Sequence, residues 1–188
     1  MGEVAVSAAG EGFLIRNLAL AIAFVVGPLP EGEVNNLLLS RYRHPMTYEE
    51  AIQQFGLPST PEHRPAIRVA LEAELKLEEN EEGDHDLIKC LAAQLLSIGK
   101  VDDSLLIWRA KDTNFDLMCG LDIQFLCGAG IEETKRFLTQ THSQESRDAL
   151  EYLEECIVAG DFEDWTPTKS IQQYRHYFQL DSELPPES

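Results

Sequence analysis

Basic residues are scarce in this sequence. It has 15 lysines and arginines against 33 aspartates and glutamates, so its formal net charge is −18 at pH 7. A surface this negative repels phosphate backbones and anionic lipid headgroups. We therefore expect no nucleic-acid partner and no membrane partner.

Arrangements that bind metals or carry out catalysis are also missing. The four cysteines form no Cys-x-x-Cys pair, and the five histidines show no helical ligand spacing. All four cysteines fall in apolar helical patterns, as core residues of a reduced protein do, which favours a cytoplasmic location. No phosphate loop, Gly-x-Ser-x-Gly elbow or His-Glu-x-x-His helix occurs. We expect no metal, no disulfide framework and no cofactor, and we find no positive signal for catalysis.

Long hydrophobic runs are limited to one segment, Phe13–Val26. It is interrupted by Arg16 and is shorter than the ~18 to 20 residues that a membrane span needs. Glu3 and Glu11 precede it, where a secretory signal has basic residues. We expect a buried first helix, and a targeting segment within the first 30 residues is the alternative.

Glycines recur at a regular interval in the rest of the chain. Gly99, Gly130 and Gly160 are 31 and 30 residues apart, and each follows an apolar helical stretch. A period of this length is typical of stacked helical repeats. Because strand signals are nearly absent, the pattern predicts an all-α fold with the three glycines at equivalent turns between helices.

Helix start and stop signals are frequent. Thr47 and Glu50 form a capping box, Gly56 ends the helix that follows, and Thr60-Pro61 opens the next one. Apolar spacing predicts helices near residues 86–98, 102–111, 115–127, 131–141, 144–158 and 167–179. Their short connections predict antiparallel neighbours.

The segment Leu91–Lys100 followed by Ser104–Trp108 resembles a HEAT-like repeat, in which an apolar helix ends in a glycine-containing turn before a second apolar helix. The resemblance covers about residues 65–160. It implies a right-handed stack of antiparallel helix pairs and a surface for binding proteins.

At 188 residues the chain is expected to form one helical domain. We expect four parts: an N-terminal helical cap (1–60), HEAT-like helix pairs (61–165), a C-terminal helix (166–180) and a flexible tail (181–188).

The predicted helix 115–127 carries an aligned polar stripe. Asp116, Gly120 and Gln124 are four residues apart, which places them on one helix face. A glycine inside a helix lowers the stability of the helix by about 1 kcal/mol relative to alanine. Its presence therefore indicates that another group approaches the helix backbone closely at this point. We predict a partner-binding groove formed by these residues and Thr113. The alternative is that a neighbouring helix packs against Gly120 while the polar residues face water.

The leading functional hypothesis is a non-catalytic module that binds a protein partner through its concave or acidic face. Residues 72–86 and 145–164 each contain eight acids and one base, which favours a basic partner. An immunity- or antitoxin-like inhibitor of a basic toxin is one alternative. A small helical enzyme that uses Asp116, Asp122 or His85 is another.

Two acidic pairs, Asp102-Asp103 and Glu132-Glu133, are predicted to lie in first helical turns. Acids there interact favourably with the helix dipole, so their expected role is structural.

Overall fold

The computed structural model describes residues 46–180. Contacts between Cα atoms divide the chain into two compact units, Met1–Met46 and Thr47–Ser188, and the described residues belong almost entirely to the second. The predicted apolar first helix, most of the predicted N-terminal cap and the predicted tail 181–188 lie outside the described residues. The division of the chain into those four parts stays a prediction.

Residues 46–180 form helices and no strands, which confirms the all-α class for this part of the chain. The α-helices are α1 (Tyr48–Phe55), α2 (Arg64–Glu78), α3 (His85–Ile98), α4 (Ser104–Lys111), α5 (Phe115–Gly120), α6 (Ile131–Gln140), α7 (Gln144–Ala159) and α8 (Pro167–Tyr177). The 3-10 helices are Pro61–His63, Val101–Asp103 and Ile123–Cys127. None of the described helices combines the length and apolar character needed to cross a membrane.

Helix α3 forms the centre of the core. Nine of its fourteen residues are buried, and it packs against α1, α2, α8 and the 3-10 helix Ile123–Cys127. Its Gln94 is fully buried and donates from Nε2 to the carbonyl oxygens of Ala51 and Gly56, both at 3.0 Å. These bonds attach α1 and its C-terminal turn to α3.

The capping box at the start of α1 is present as predicted. The Thr47 hydroxyl accepts the Glu50 amide at 3.3 Å, and the Glu50 carboxylate accepts the Thr47 amide at 3.1 Å. Gly56 ends the helix with a φ of +73°. Local sequence signals therefore determine both ends of α1.

The three recurring glycines are not equivalent. Gly99 and Gly160 end α3 and α7 in the left-handed conformation, with φ of +71° and +96°. Gly130 has φ of +98° but precedes α6, so it begins a helix and the predicted equivalence is wrong at this position. A different glycine permits a close approach to α3, because a Cβ on Gly128 would lie 2.7 Å from the Leu96 carbonyl oxygen.

The predicted helix 115–127 is broken. Helix α5 ends at Gly120, and Leu121 is extended with φ −101° and ψ 122°. Lys111 Nζ donates to the carbonyl oxygens of Met118 and Leu121, which takes the place of hydrogen bonds from a continuing helix. The chain then resumes as the 3-10 helix Ile123–Cys127.

Helix α8 packs back onto the first part of the described chain. The Tyr174 ring lies 4.6 Å from the Phe125 ring, and the Phe178 ring lies 5.3 Å from the Tyr48 ring, measured between centroids. In a linear solenoid each repeat contacts only its neighbours. Here α1, α2 and α8 all pack against α3, although α8 is far from it along the chain.

An ion cluster connects α2 to the turn before α4. Arg64 Nε lies 2.8 Å from Asp103 Oδ2, its Nη2 lies 2.8 Å from Asp102 Oδ2, and Arg68 also pairs with Asp103. The side chain of Asp103 is 1% exposed. This acidic pair therefore has a structural role, as expected. Its main partners, however, are arginines 35 to 39 residues away along the chain. The helix-dipole argument did not predict these partners.

Candidate functional site

The four residues of the predicted groove do not share one helix face. Asp116 lies in the first turn of α5 and Gly120 at its end, and both are exposed. Gln124 lies beyond the break, and Thr113 lies before α5, where its hydroxyl donates to the Arg109 carbonyl at 2.6 Å. The predicted continuous stripe is wrong. The partner-binding role of these four residues stays a prediction.

Gly120 and Gln124 have different surroundings. A Cβ at Gly120 would have no atom within 4 Å outside its own helix and chain neighbours, so no helix of the described region packs there, in contrast to the packing alternative. Gln124 Nε2 donates to the Asp161 carbonyl at 2.7 Å, which ties the 3-10 helix to the turn after α7. Position 120 is therefore open, whereas the amide of Gln124 already has a partner within the fold.

The three residues considered for an enzyme belong to separate local arrangements. Asp122 accepts a hydrogen bond from the Tyr174 hydroxyl, and burial together with this carboxylate raises the pKa of Tyr174. His85 Nε2 lies 2.9 Å from Glu78 Oε1, while Asp116 is exposed on α5. No contact among the described residues brings these three groups to a common site.

Two buried carboxylates organise the acidic turn between α2 and α3. Glu74 and Glu78 are 6% and 8% exposed, and burial raises the pKa of Glu74. The Asp84 amide donates to Glu74 at 3.1 Å, and Asn114 Nδ2 donates to Glu78 at 2.5 Å. Within residues 46–180 no group of three or more histidines, cysteines or acids could hold a metal ion. The arrangement attaches the turn to α2 and to the start of α5.

Lys111 is the one buried basic side chain of the described region, and sequence reasoning missed it. It is 3% exposed, and burial lowers its pKa. Its Nζ lies 2.7 Å from the Leu121 carbonyl oxygen and 5.3 Å from the centroid of the Tyr152 ring. The ammonium group therefore satisfies backbone carbonyls at the end of α5 and connects α4 to α7, which is a structural role.

The buried thiols do not have the chemistry of nucleophiles. Burial raises the pKa of Cys90 and of Cys127 to about 12. Burial, and then the neighbouring Asp161, raise the pKa of Cys156. Since the thiolate is the reactive form, the buried Cys90 and Cys127 stay protonated at neutral pH, and the pKa of the partly exposed Cys156 is shifted in the same direction.

Helix α7 presents one buried face and one open face. Ala149 and Leu153 are fully buried against the rest of the fold. The opposite side is an open face of the helix. We call the residues of this open face the α7 surface: Arg147, Leu150, Glu151, Glu154, Glu155, Val158 and Ala159.

The α7 surface contains the most exposed large apolar side chain among the described residues. Val158 is 89% exposed, compared with 78% for Phe115 and 49% for Tyr177. Tyr177 is engaged within the fold, because its hydroxyl donates to Asp86 at 3.0 Å and Lys89 Nζ lies 4.8 Å from its ring centroid. Leu150 and Ala159 lie on the same face as Val158, and charged residues border them.

The carboxylates of the α7 surface are only partly neutralised. Glu154 pairs with Lys135 at 2.8 Å. Glu151 and Glu155 have no ion-pair partner within residues 46–180, and Arg147 donates to the Gln144 side-chain oxygen at 2.8 Å. The α7 surface therefore attracts positive charge.

Comparison of the chain with family models, with curated proteins and with solved structures gives no match.

Proposed function

We propose that the protein is a non-catalytic interaction module that binds a basic protein partner through the α7 surface. The observation that carries the proposal is the 89% exposure of Val158 on an open helix face that also carries Glu151 and Glu155. An apolar contact of this kind supplies affinity, and the carboxylates around it supply attraction and orientation.

The attachment of α7 to the fold supports this proposal. Its inner face is anchored by Leu153, by contacts with α6 and by a pair of rings, Trp108 and Tyr152, with centroids 5.6 Å apart. A surface on an anchored helix loses little conformational entropy when a partner binds. The strongly negative charge of the whole chain adds long-range attraction for a basic partner.

The HEAT-like stack is part of the same proposal. The matching left-handed ends of α3 and α7 at Gly99 and Gly160 favour it, while Gly130 and the packing of α8 against α3 depart from it. The predicted groove near α5 is a second candidate surface, because Phe115 beside it is 78% exposed. An inhibitor of a basic toxin is a narrower form of this function, since such a complex also needs an acidic surface that attracts its target quickly.

The test compares the proteins of the native host that are retained by the immobilised full chain and by two charge variants. Glu151→Gln with Glu155→Gln alters the α7 surface, and Glu79→Gln with Glu82→Gln removes the same charge from the exposed turn after α2. We expect a partner that the wild type and the turn variant retain and that the α7 variant retains at least about fivefold less. Equal loss in both variants, or no partner sensitive to the α7 change, would overturn the proposal.

A further inference from the structure

We infer that the element recognised by the α7 surface is an amphipathic helix whose apolar side chains are flanked by lysine or arginine. This inference rests on the proposed function and adds the chemistry of the partner. It follows from the order of apolar and acidic residues along α7.

The apolar positions match the repeat of a second helix. Leu150 and Val158 both lie on the α7 surface and are eight residues apart, which corresponds to about 12 Å along the helix axis. A helix lying along α7 repeats its own apolar side chains at seven or eight residues, so two of them meet these two positions together. The α7 surface is an open helix face, which suits contact with a helix that stays on the surface.

Two acidic residues lie along α7 beside these apolar positions. Glu151 and Glu155 are four residues apart, so they lie one above the other on α7 beside the apolar positions. Glu154 is already paired with Lys135. The other two carboxylates of the α7 surface, Glu151 and Glu155, have no ion-pair partner within residues 46–180 and are open to a partner. Basic side chains one helical turn apart on the partner reach both of them.

The same charges argue against a second copy of this chain as the occupant. A symmetric dimer through the α7 surface brings Glu151 and Glu155 of both copies to the contact, and Arg147 is the one base that each copy has on this surface. Four carboxylates against two bases leave an excess of like charge, which destabilises such a contact. A basic helix has the complementary sign.

The experiment uses two labelled 18-residue peptides of identical leucine and lysine composition. In one, the leucines follow helical spacing. In the other, the order is scrambled. Fluorescence anisotropy measures the binding of each to the full chain at about 0.15 M salt, where long-range attraction is screened beyond about 8 Å. We expect the amphipathic peptide to bind at least about tenfold more tightly than the scrambled one.

Two substitutions locate the contact. Val158→Ser is expected to weaken binding of the amphipathic peptide about tenfold, as for the loss of one buried valine side chain. Phe115→Ser removes the other highly exposed apolar side chain and is expected to leave binding unchanged. Both side chains are exposed, and circular dichroism checks that both variants remain folded.

Equal binding of the two peptides overturns the helix inference, as does sensitivity to Phe115→Ser without sensitivity to Val158→Ser. A dimer in light scattering that Val158→Ser dissociates also overturns it, because the occupant is then a second copy. If host-partner retention still depends on Glu151 and Glu155 while the peptides bind equally, the proposed function stands and only the helix inference fails. If host-partner retention does not depend on Glu151 and Glu155 and the two peptides also bind equally, both proposals fail.

Discussion

Helices α3 and α7 have similar lengths, fourteen and sixteen residues, but opposite surroundings. In α3, nine residues are buried, and contacts come from α1, α2, α8 and a 3-10 helix. In α7, only Ser146, Ala149 and Leu153 are buried. The comparison separates a helix that forms the core from a helix that presents a surface.

The apolar residues of the two helices are used differently. Every leucine and isoleucine of α3 except Ile98 is buried. Helix α7 also carries Val158, which is 89% exposed, and Leu150, which lies on the same open face. The apolar residues of α7 thus exceed what its own packing requires. This excess is the reason why we propose α7, rather than α3, as the helix that binds a partner.

The largest expected effect comes from shortening a core side chain of α3. Leu91 is fully buried, and Leu91→Ala is expected to lower the free energy of unfolding by about 2 to 5 kcal/mol, through lost burial and a residual cavity. Denaturant titration measures the change. Val158→Ser on α7 is the matched comparison and is expected to stay within about 0.5 kcal/mol. Similar losses in both variants would remove the contrast between the two helices.

Alkaline pH is expected to act on the core. The pKa of Cys90, on α3, and of Cys127 is about 12 in the folded protein, whereas the reference value is 9.0. The unfolded chain then loses these protons first as pH rises, so stability is complete below pH 9 and is lost between pH 9 and 12. At pH 10 each thiol is expected to lower the free energy of unfolding by about 1.4 kcal/mol.

Chemical unfolding at pH 7, 9 and 10 measures this dependence. Cys90→Ala removes one of the two buried thiols and should make the decline shallower. A decline of equal steepness in this variant would exclude Cys90 as a source.

The next effect concerns the end of α5. Lys111→Met leaves the Leu121 carbonyl without its donor in a buried position, at an expected cost of about 1 to 3 kcal/mol. Thermal unfolding compares this variant with Lys76→Met, which removes an exposed lysine from α2. Equal stability of the two variants would show that Lys111 does not hold this turn.

The smallest effect is expected from a substitution at the end of α5, which tests whether this helix has a second exposed surface. Gly120→Leu places a side chain in open space, so we expect a gain in stability of no more than about 1 kcal/mol from higher helix propensity. Circular dichroism melting measures it. A loss of about 1 to 3 kcal/mol would instead indicate overpacking against a neighbour.

Several helix ends were predictable because their signals are local. The capping box of Thr47 and Glu50, the glycine ends of α1, α3 and α7, and the start of the 3-10 turn at Pro61 are set by residues within a few positions. The break after Gly120 was not predictable in this way. It depends on Lys111, which lies ten residues before the Leu121 carbonyl that it binds.

The sequence by itself determined the helical class, most helix boundaries and the acidic character of the chain, because helix periodicity, capping and charge are properties of nearby residues or of composition. Only the tertiary structure decided that Gly130 begins a helix, that Asp103 is buried between Arg64 and Arg68, and that Tyr174 of α8 bonds to Asp122. These contacts join residues 35 to 52 positions apart. Hydrophobic periodicity shows that a helix has an apolar face, but which apolar residues remain exposed depends on how the other helices pack against it.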